Sequence, residues 1–572
     1  MLSADGQKLF EARYAIRDEK GTVAETFDQA VGRLARTVAT AEKEPSQWEE
    51  RFARIVGELF FVPSTPIWAN VGKPDRPWQP AACFVLPLED SLESVFETLK
   101  DTALVFKSGG GVGYNFSAIR PRGFPVRSSQ GQAFGVVELL RLYDHAAGII
   151  VQGGVRRGAC MGILNADHPE ILEFIRAKRG GGLTNFNISV GVSDAFLEAV
   201  RESGTWRLVF NGQAVAELPA AEVWEAIVEA AHACGDPGLV FLDTIQRSNP
   251  IRGTVITATN PCGEVPLLAG ESCLLGSINL ARMVDESGNL KKALLCETVR
   301  LAVRFLDDLI DVAEYPLPFI GERTRATRKI GLGFTGLADS LIKSGLAYDS
   351  EEGRARAGSI TAIIKEAAQE ASRELAREKG CFPWWEKSVY YPNDPRRNAT
   401  LLTVAPTGSV TLLAGCEGYG VEPIFAVAYT KSTSAAGKIE VFSPLFLQEC
   451  ERHGIPETVR SEVARRGSCQ GVDGIPADMA RVLKGAREIA PEDHLLMQAA
   501  VQKHVDNAVS KTVNLPREAT PADVDHTFRL AWELGLKGVT VFREGAKPAP
   551  VMVGNEPFPV HEKHGHRTCC EF

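Results

Sequence analysis

Asn260-Pro261-Cys262-Gly263-Glu264 places an amide, a thiol and a carboxylate within five residues, and a second thiol, Cys273, follows eleven residues after the first. A sulfur beside a base is the outline of either an activated nucleophile or a redox centre. Pro261 restrains the backbone and Gly263 lets it bend, so the segment reads as a loop that holds the sulfur in place. The residues alone leave open whether the chemistry is ionic, as in a hydrolase, or redox. Pro406-Thr407-Gly408-Ser409-Val410 lies between an extended run at 401–404 and an apolar run at 410–413, where amides and hydroxyls can surround a phosphate.

The elements that must position these residues show in the periodicity. Helical spacing runs through residues 5 to about 60, with Phe27, Val31, Leu34 and Ala35 and then Trp48, Phe52 and Ile55 on one face. This predicts a helical leader. Leu92, Val95, Phe96 and Leu99 repeat the spacing, with Asp90 at the expected N-cap and Glu93 in the capping-box position. Phe186, Ile188, Val190 and Val192 alternate with Asn187, Ser189 and Gly191 as in a strand, and 239–242, 401–404 and 539–542 are further strand candidates. Helical stretches at 297–313 and 359–378 stand between them, so an α/β architecture with a parallel component is expected. From about Glu544 the chain turns Pro/Gly/His-rich and loses periodicity, which predicts a mobile tail ending in Cys569-Cys570-Glu571-Phe572.

Composition excludes several functions. A chain of 572 residues, 44% apolar, can bury a large core, and its formal charge of -9 gives no global basic field for nucleic acid or an anionic membrane. The first ten residues contain no apolar signal region and no apolar run reaches the length of a membrane span, so a cytoplasmic protein is expected. Twelve scattered cysteines suit catalytic or redox roles in a reducing compartment better than a disulfide framework.

Other segments imitate binding motifs. Gly331-Leu332-Gly333-Phe334-Thr335-Gly336 fits a dinucleotide fingerprint, with Asp349 at about the distance of a ribose-binding acid, but polar residues 323–329 stand where an apolar strand should precede it. A glycine turn that packs a helix is the expectation there. Ser108-Gly109-Gly110-Gly111-Val112-Gly113 lacks the ending of a P-loop and signals only a close backbone approach. His561, His564, His566, Cys569 and Cys570 could together bind a metal, although a plain polar tail is the expected reading of the histidines.

Several ordered blocks resemble the ribonucleotide reductases, specifically the adenosylcobalamin-dependent class II enzymes, from about Leu9 to Arg543. They are Phe61-Val62-Pro63-Ser64-Thr65-Pro66; Ala82-Cys83 with Glu89-Asp90-Ser91-Leu92; residues 108–120; Gly153-Gly154-Val155-Arg156-Arg157-Gly158; 260–264 with Cys273; Ala405-Pro406-Thr407-Gly408-Ser409-Val410; and Asp506-Asn507-Ala508-Val509-Ser510-Lys511-Thr512. Their order makes the match specific. The resemblance implies a ten-stranded α/β barrel of the ribonucleotide reductase/glycyl radical enzyme type with an N-terminal helical domain. The helices would occupy 1–80, the barrel 81–545 with a finger loop at 260–264 through its centre, and a flexible cysteine-bearing tail 546–572.

The resemblance also implies a chemistry. Replacing a ribose 2′-hydroxyl by hydrogen demands activation of an inert C–H bond, which a thiyl radical achieves. Cys262 is implied as that radical, taking the 3′-hydrogen, with Glu264 accepting the 3′-hydroxyl proton and Asn260 orienting the sugar hydroxyls. Cys83 and Cys273 are implied as the thiol pair that protonates the leaving hydroxyl and ends as a disulfide. No histidine lies near Cys262 in sequence to activate an ionic thiolate, which fits a one-electron role. Ser64, Thr65, Ala82, Ser117, Pro261 and Gly263 are implied around the substrate, with its phosphate in the loop Pro406, Thr407, Gly408, Ser409 and Val410.

The cofactor follows largely by exclusion. Class I enzymes relay a radical from a separate metal subunit through adjacent tyrosines, but the corresponding stretch here carries Val541 and Phe542. Class III enzymes need a C-terminal glycyl-radical motif, which the tail lacks. Adenosylcobalamin is therefore the implied cofactor, its cobalt arriving with it rather than being held by protein ligands. A class I large subunit is the nearest alternative; outside the family stand a nicotinamide oxidoreductase through residues 331–336 and a metal-binding protein through the tail.

Regulation and partners are implied in the same way. A deoxynucleotide effector would bind at a homodimer interface, with Asp90 and Leu92 at the start of its site. Arg179-Gly180-Gly181-Gly182-Leu183-Thr184 occupies the position of the loop that relays effector identity, and its three glycines favour mobility. The resemblance begins near the N-terminus, so no ATP-cone and no overall on/off control by ATP and dATP are expected. The lack of an obvious insertion mimicking the dimer interface favours the dimeric, diphosphate-using type. A thioredoxin- or glutaredoxin-type reductant is the implied electron source. Cys569 and Cys570 are the candidate shuttle, although an adjacent pair closes only a strained ring.

Overall fold

The computed structural model describes residues 2–126, 130–152, 156–157, 159–433 and 437–546, and four short strand segments between 551 and 567. The expected leader forms α1 (Ala4–Arg13), α2 (Phe27–Ala39) and α3 (Pro45–Gly57). Ser3 caps α1, a Thr26/Gln29 capping box opens α2 and Pro45 opens α3. Each device deals with amides that a helix start leaves unpaired. The buried face of α3 reaches the barrel's outer layer, where Phe52 meets Phe305 edge-on with ring centroids 5.3 Å apart.

Two parallel halves make the barrel. The first runs β1 (Cys83–Val85), β2 (Gly111–Asn115), β3 (Cys160–Asn165), β4 (Phe186–Val192) and β5 (Gly238–Phe241), each parallel to the next. The second holds β6 (Ser272–Asn279), β7 (Ile330–Thr335), the extended segment 401–404, β8 (Thr512–Leu515) and β9 (Gly538–Arg543). In it β6 pairs β7 and β8 pairs β9 in parallel, and single parallel bridges, Leu332 to Leu402 and Val404 to Val509, join the segment 401–404 to its neighbours. The halves meet antiparallel at two seams, with Cys83 opposite Cys273 and Leu239 opposite Val539. Helices including α4 (Leu92–Lys107), α5 (Val136–Ile149), α6 (Lys292–Val312) and α7 (Glu351–Lys379) cover the outside. Strands covered on both faces bury nearly every residue, as β6 and β7 do throughout. No helix among the described residues is long and apolar enough to cross a membrane.

The structure corrects several local expectations. Segment 401–404 is extended but thinly laddered, because the Leu401 and Leu402 N–H groups donate to Asp506 Oδ2 instead of to a strand. Leu242 starts a short helix rather than ending β5. The hydroxyl of Ser91, not Asp90, caps α4 by accepting the Ser94 N–H at 3.0 Å. Asp90 instead accepts from the Arg120 N–H and Nε, at 3.1 and 2.8 Å. Residues 331–335 are the body of β7 rather than a turn, and only Gly336, at φ 72°, bends the chain into the next helix. A Cβ at Gly333 would stand 2.2 Å from the Thr403 carbonyl oxygen, so that glycine admits a neighbouring segment, not a nucleotide. The basic run 323–329 misled because the strand begins only at Ile330.

Candidate active site

Ala258–Thr259 and Pro266–Leu267 pair antiparallel, which makes the segment between them the tip of a hairpin. The tip is held from inside by Asn260, whose Oδ1 accepts the Val265 N–H at 2.9 Å and whose carbonyl accepts the Gly263 N–H at 3.0 Å. Gly263 adopts φ 80°, the left-handed geometry for which glycine is suited. The barrel grips the same hairpin from outside. Asn187 Nδ2 on β4 donates to the Pro261 carbonyl at 3.0 Å, and the Glu264 carbonyl accepts from Thr403 Oγ1 at 2.6 Å and the Ala508 N–H at 2.9 Å. On β2 a Cβ at Gly113 would lie 1.7 Å from the Thr259 carbonyl oxygen, and one at Gly111 2.8 Å from Pro261 Cγ. The glycine run 108–113, read as a close approach, is the groove that admits the finger.

Around the tip lies a cleft of about 720 Å³, open to solvent, whose wall includes Ser64, Thr65, Ala82, Cys83, Asn260, Pro261, Cys262, Glu264, Pro406, Thr407 and Val410. Residues from four separate blocks of the sequence thus meet on one surface. Pro66, Ala405, Leu275 and the small residues Gly109, Gly111, Ala159, Gly276 and Ser277 are also on the wall, and none of these is marked as a site residue by the sequence. The small side chains among them mark where something else must fit, a signal visible only once the neighbours are known. Gly263, Gly408, Ser409, Ser117 and Cys273 are not on the wall. Ser117 Oγ instead accepts the Asn165 N–H at 2.9 Å and ties two segments of the first half together.

Cys83 and Cys273 face each other as register partners on adjacent antiparallel strands, the arrangement that brings two side chains to one face within reach of a disulfide. Both are buried. Cys83 reaches the wall and Cys273 lies behind it; a Cβ at Gly331 would be 3.2 Å from the Cys273 sulfur, so β7 leaves that thiol its space. Asn260 Nδ2 donates to Cys83 Sγ at 3.1 Å, and Glu264 Oε1 is 4.0 Å from the same sulfur. Burial pushes Glu264 up to about 7, against the lowering effect of its Asn260 hydrogen bond, and its Oε2 is buried without a hydrogen-bond partner among the described residues. Burial also pushes the Cys273 thiol well above its ordinary range, so it stays protonated near neutrality.

At the other end, Thr407 takes a left-handed backbone, φ 61°, just before α8 (Gly408–Ala414). Such a conformation costs a threonine about 1–3 kcal/mol and persists where its surroundings hold it. Here the Thr407 hydroxyl accepts the Gly420 N–H at 2.7 Å and is bonded to Thr335 and Thr411, so it shapes the loop. Ser64 Oγ is buried without a partner among the described residues.

The candidate effector residues lie on the outside. Leu92 is exposed at the start of α4, and Arg179 pairs with Glu229 at 3.3 Å. A Cβ at Gly180 or Gly181 would meet nothing within 4 Å, so the loop has open space around it. Cys569, Cys570, His561 and His564 lie outside the described residues, as do 153–155 and Gly158 of the glycine-arginine block.

A barrel of two antiparallel-joined parallel halves, with a cysteine-tipped finger beside a facing cysteine pair, defines a class. Residues 81–394 and 392–542 match the ribonucleotide reductase barrel domain, and 1–76 match the ribonucleotide reductase all-alpha domain. The chain belongs to the ribonucleotide reductase family. It is 48% identical over 570 residues to a vitamin B12-dependent ribonucleoside-diphosphate reductase of Mycobacterium tuberculosis (strain CDC 1551 / Oshkosh), covering 98% of this chain and 82% of that protein. A protein of the same description from Thermoplasma acidophilum is 39% identical over 558 residues, 96% of this chain and 72% of its own length. Among solved structures, the Actinobacillus ureae class Id ribonucleotide reductase alpha subunit is similar in fold, with TM-score 0.77 and 23% identity over 95% of this chain and 97% of that one.

Proposed function

We propose that the protein reduces ribonucleoside diphosphates to 2′-deoxyribonucleotides by a thiyl-radical mechanism initiated by adenosylcobalamin, for DNA precursor synthesis. The observation that carries the reading is a single cleft in which the Cys262 finger, Asn260 and Glu264 stand beside Cys83, itself opposite Cys273. Adenosylcobalamin, when bound, supplies by homolysis of its cobalt–carbon bond the one-electron oxidation of the Cys262 thiol. The residues fit such a group. On the wall a Cβ at Gly109 would meet nothing within 4 Å and Ala159 carries only a methyl, which leaves space beside the finger for a bulky organocobalt group.

The Cys262 thiyl then takes the 3′-hydrogen while Glu264 accepts the 3′-hydroxyl proton and Asn260 orients the sugar hydroxyls. A carboxyl that titrates near 7 suits a group that must both accept and return a proton. The 2′-hydroxyl leaves as water with the Cys83 proton. Cys83 and Cys273 together give up two electrons and two protons and close a disulfide, and Cys262 returns the hydrogen to C3′. An external dithiol of thioredoxin or glutaredoxin type re-reduces the pair, with Cys569 and Cys570 as its candidate relay.

The same reading places the enzyme in the cytoplasm as a homodimer, with a helical unit at 1–80, the barrel at 81–545 and a tail at 546–572. Exposed Leu92, Phe96 and Leu104 on α4 and Leu142 and Ile149 on α5 support the dimer, because α4 and α5 are tied together by Tyr143 Oη donating to the Val95 carbonyl at 2.6 Å. A deoxynucleotide effector would bind beside that face through Asp90 and Leu92 and act through the Arg179 loop.

The test is anaerobic conversion of a ribonucleoside diphosphate with adenosylcobalamin and dithiothreitol, comparing wild type with Cys262→Ser. Deoxy product from the wild type alone is expected. Product without added cobalamin would overturn the cofactor, and unchanged product from the variant would overturn the radical site.

A further inference from the structure

We propose that Arg13, the last residue of α1, is a specificity residue that binds the outer phosphate of the ribonucleotide and so favours a diphosphate over a monophosphate. The proposal rests on the reductase reading of the cleft. Among the described residues the lining includes one carboxylate, Glu264, and no lysine or arginine, yet a nucleoside diphosphate brings more than one negative charge. Hydroxyls and amides can hold one phosphate group. A second is held far better by a guanidinium, whose fork matches phosphate oxygens in pairs.

Arg13 is placed for this. Its Nη1 donates to Ser409 Oγ at 3.1 Å, and Ser409 lies between Thr407 and Val410, both on the cleft wall. The next residue, Tyr14, shares a hydrogen bond between its hydroxyl and Thr65 Oγ1 at 3.0 Å, and Thr65 is on the same wall. The end of α1 therefore meets the wall at Thr65 and the loop behind the wall at Ser409. Close docking makes this firm: a Cβ at Gly6 would stand 3.2 Å from the Leu412 carbonyl of α8, and the buried Tyr14 ring stacks on Trp68 with centroids 6.1 Å apart. Independently, Ser64, next to Thr65 on the wall, buries a hydroxyl that has no partner among the described residues. A polar atom buried without a partner marks a place where a ligand completes the hydrogen bonding.

The experiment measures equilibrium binding of cytidine, CMP and CDP to the full chain under dithiothreitol, and KM and kcat for CDP with adenosylcobalamin. For Arg13→Gln we expect CDP binding and KM to worsen about tenfold or more while CMP and cytidine change far less and kcat stays within about twofold; Arg13→Lys recovers part of the loss. Should Arg13→Gln unfold at a lower temperature than the wild type, Ser409→Ala, which removes the hydroxyl beneath the guanidinium, is expected to narrow the CDP/CMP ratio instead. Equal losses for CDP, CMP and cytidine in both variants, or an unchanged CDP/CMP ratio in both, overturn the proposal while leaving the reductase reading intact. Absence of any turnover by the wild type overturns the reductase reading itself.

Discussion

At the thiol end of the cleft Cys83, Cys273, Asn260 and Glu264 are each at most 3% exposed, packed among Val85, Met161, Val265 and Leu275. At the phosphate end the wall offers the hydroxyls of Ser64 and Thr65 and a loop in left-handed geometry, with Arg13 standing just behind it. The first end is buried, and its backbone carbonyls are clamped by hydrogen bonds from Asn187 of β4, Thr403 and Ala508. The second is polar and partly built from the helical leader. Radical chemistry gains from a site that excludes water and fixes distances, because a stray hydrogen donor or a small displacement diverts the reaction. Anchoring a phosphate gains from the opposite, namely unspent hydrogen-bonding capacity and positive charge.

The sharpest break in that contrast is Glu264→Gln. Loss of the base should lower kcat by about 10²–10⁴-fold, read in the cobalamin-driven assay. The wild-type rate should rise with pH through about 7 as the carboxyl ionises, and the variant should lose that limb. Stability gives an independent check. Free glutamate titrates near 4.5 and Glu264 near 7, so the cost of its buried charge is absent below about 4.5, grows through that interval and is complete above about 7. The variant should therefore gain stability over the wild type at pH 8 and little at pH 4 in denaturant titrations; a gain confined to low pH would contradict the burial argument.

Gly113→Ala tests the clamp. Its Cβ would meet the Thr259 carbonyl oxygen at 1.7 Å, so the finger must shift, with an expected loss of about 10²-fold in turnover and about 1–3 kcal/mol in stability. Gly32→Ala, in α2 with open space around the added methyl, is the control and should stabilise by about 0.5–1 kcal/mol. Full activity in Gly113→Ala would mean that the finger is not held by contact with β2. The smallest effect is expected from Ser64→Ala. Removing an unpartnered buried hydroxyl should leave stability unchanged or slightly raised and should raise KM by about threefold to tenfold with kcat preserved. A fall in kcat with KM constant would move Ser64 from the anchoring end to the reacting end.

Much of this site was legible in the chain because its chemistry needs particular residue types at short spacing. The segment 260–264 carries its own turn signals, and the hairpin that forms there closes on its own Asn260 hydrogen bonds. Helix periodicity likewise anticipated the helical leader that α1 to α3 form, and α4 as well, with Ser91 rather than Asp90 as the cap of α4. What misled were the glycines. Those of 331–336 read as a turn that packs a helix, while their actual use is to let Thr403 and Cys273 approach β7, and a glycine's neighbours are not written beside it. Segment 401–404 read as a strand and does bridge both neighbours, yet its ladder is thinned where the Leu401 and Leu402 N–H groups turn to the Asp506 carboxylate, a partner a hundred residues away.

The sequence by itself determined which residues are the proposed reacting groups, the local turn that presents Cys262 and the alternation of strands and helices, since these depend on side-chain chemistry and near neighbours. Only the tertiary structure decided which groups share one cleft. Cys83 and Cys273 become partners through strand register, Glu264 rises to about 7 through burial, and Arg13 reaches Ser409 across almost the whole barrel sequence. Register, desolvation and docking are set by contacts between distant segments, and those exist only after the chain has closed its barrel.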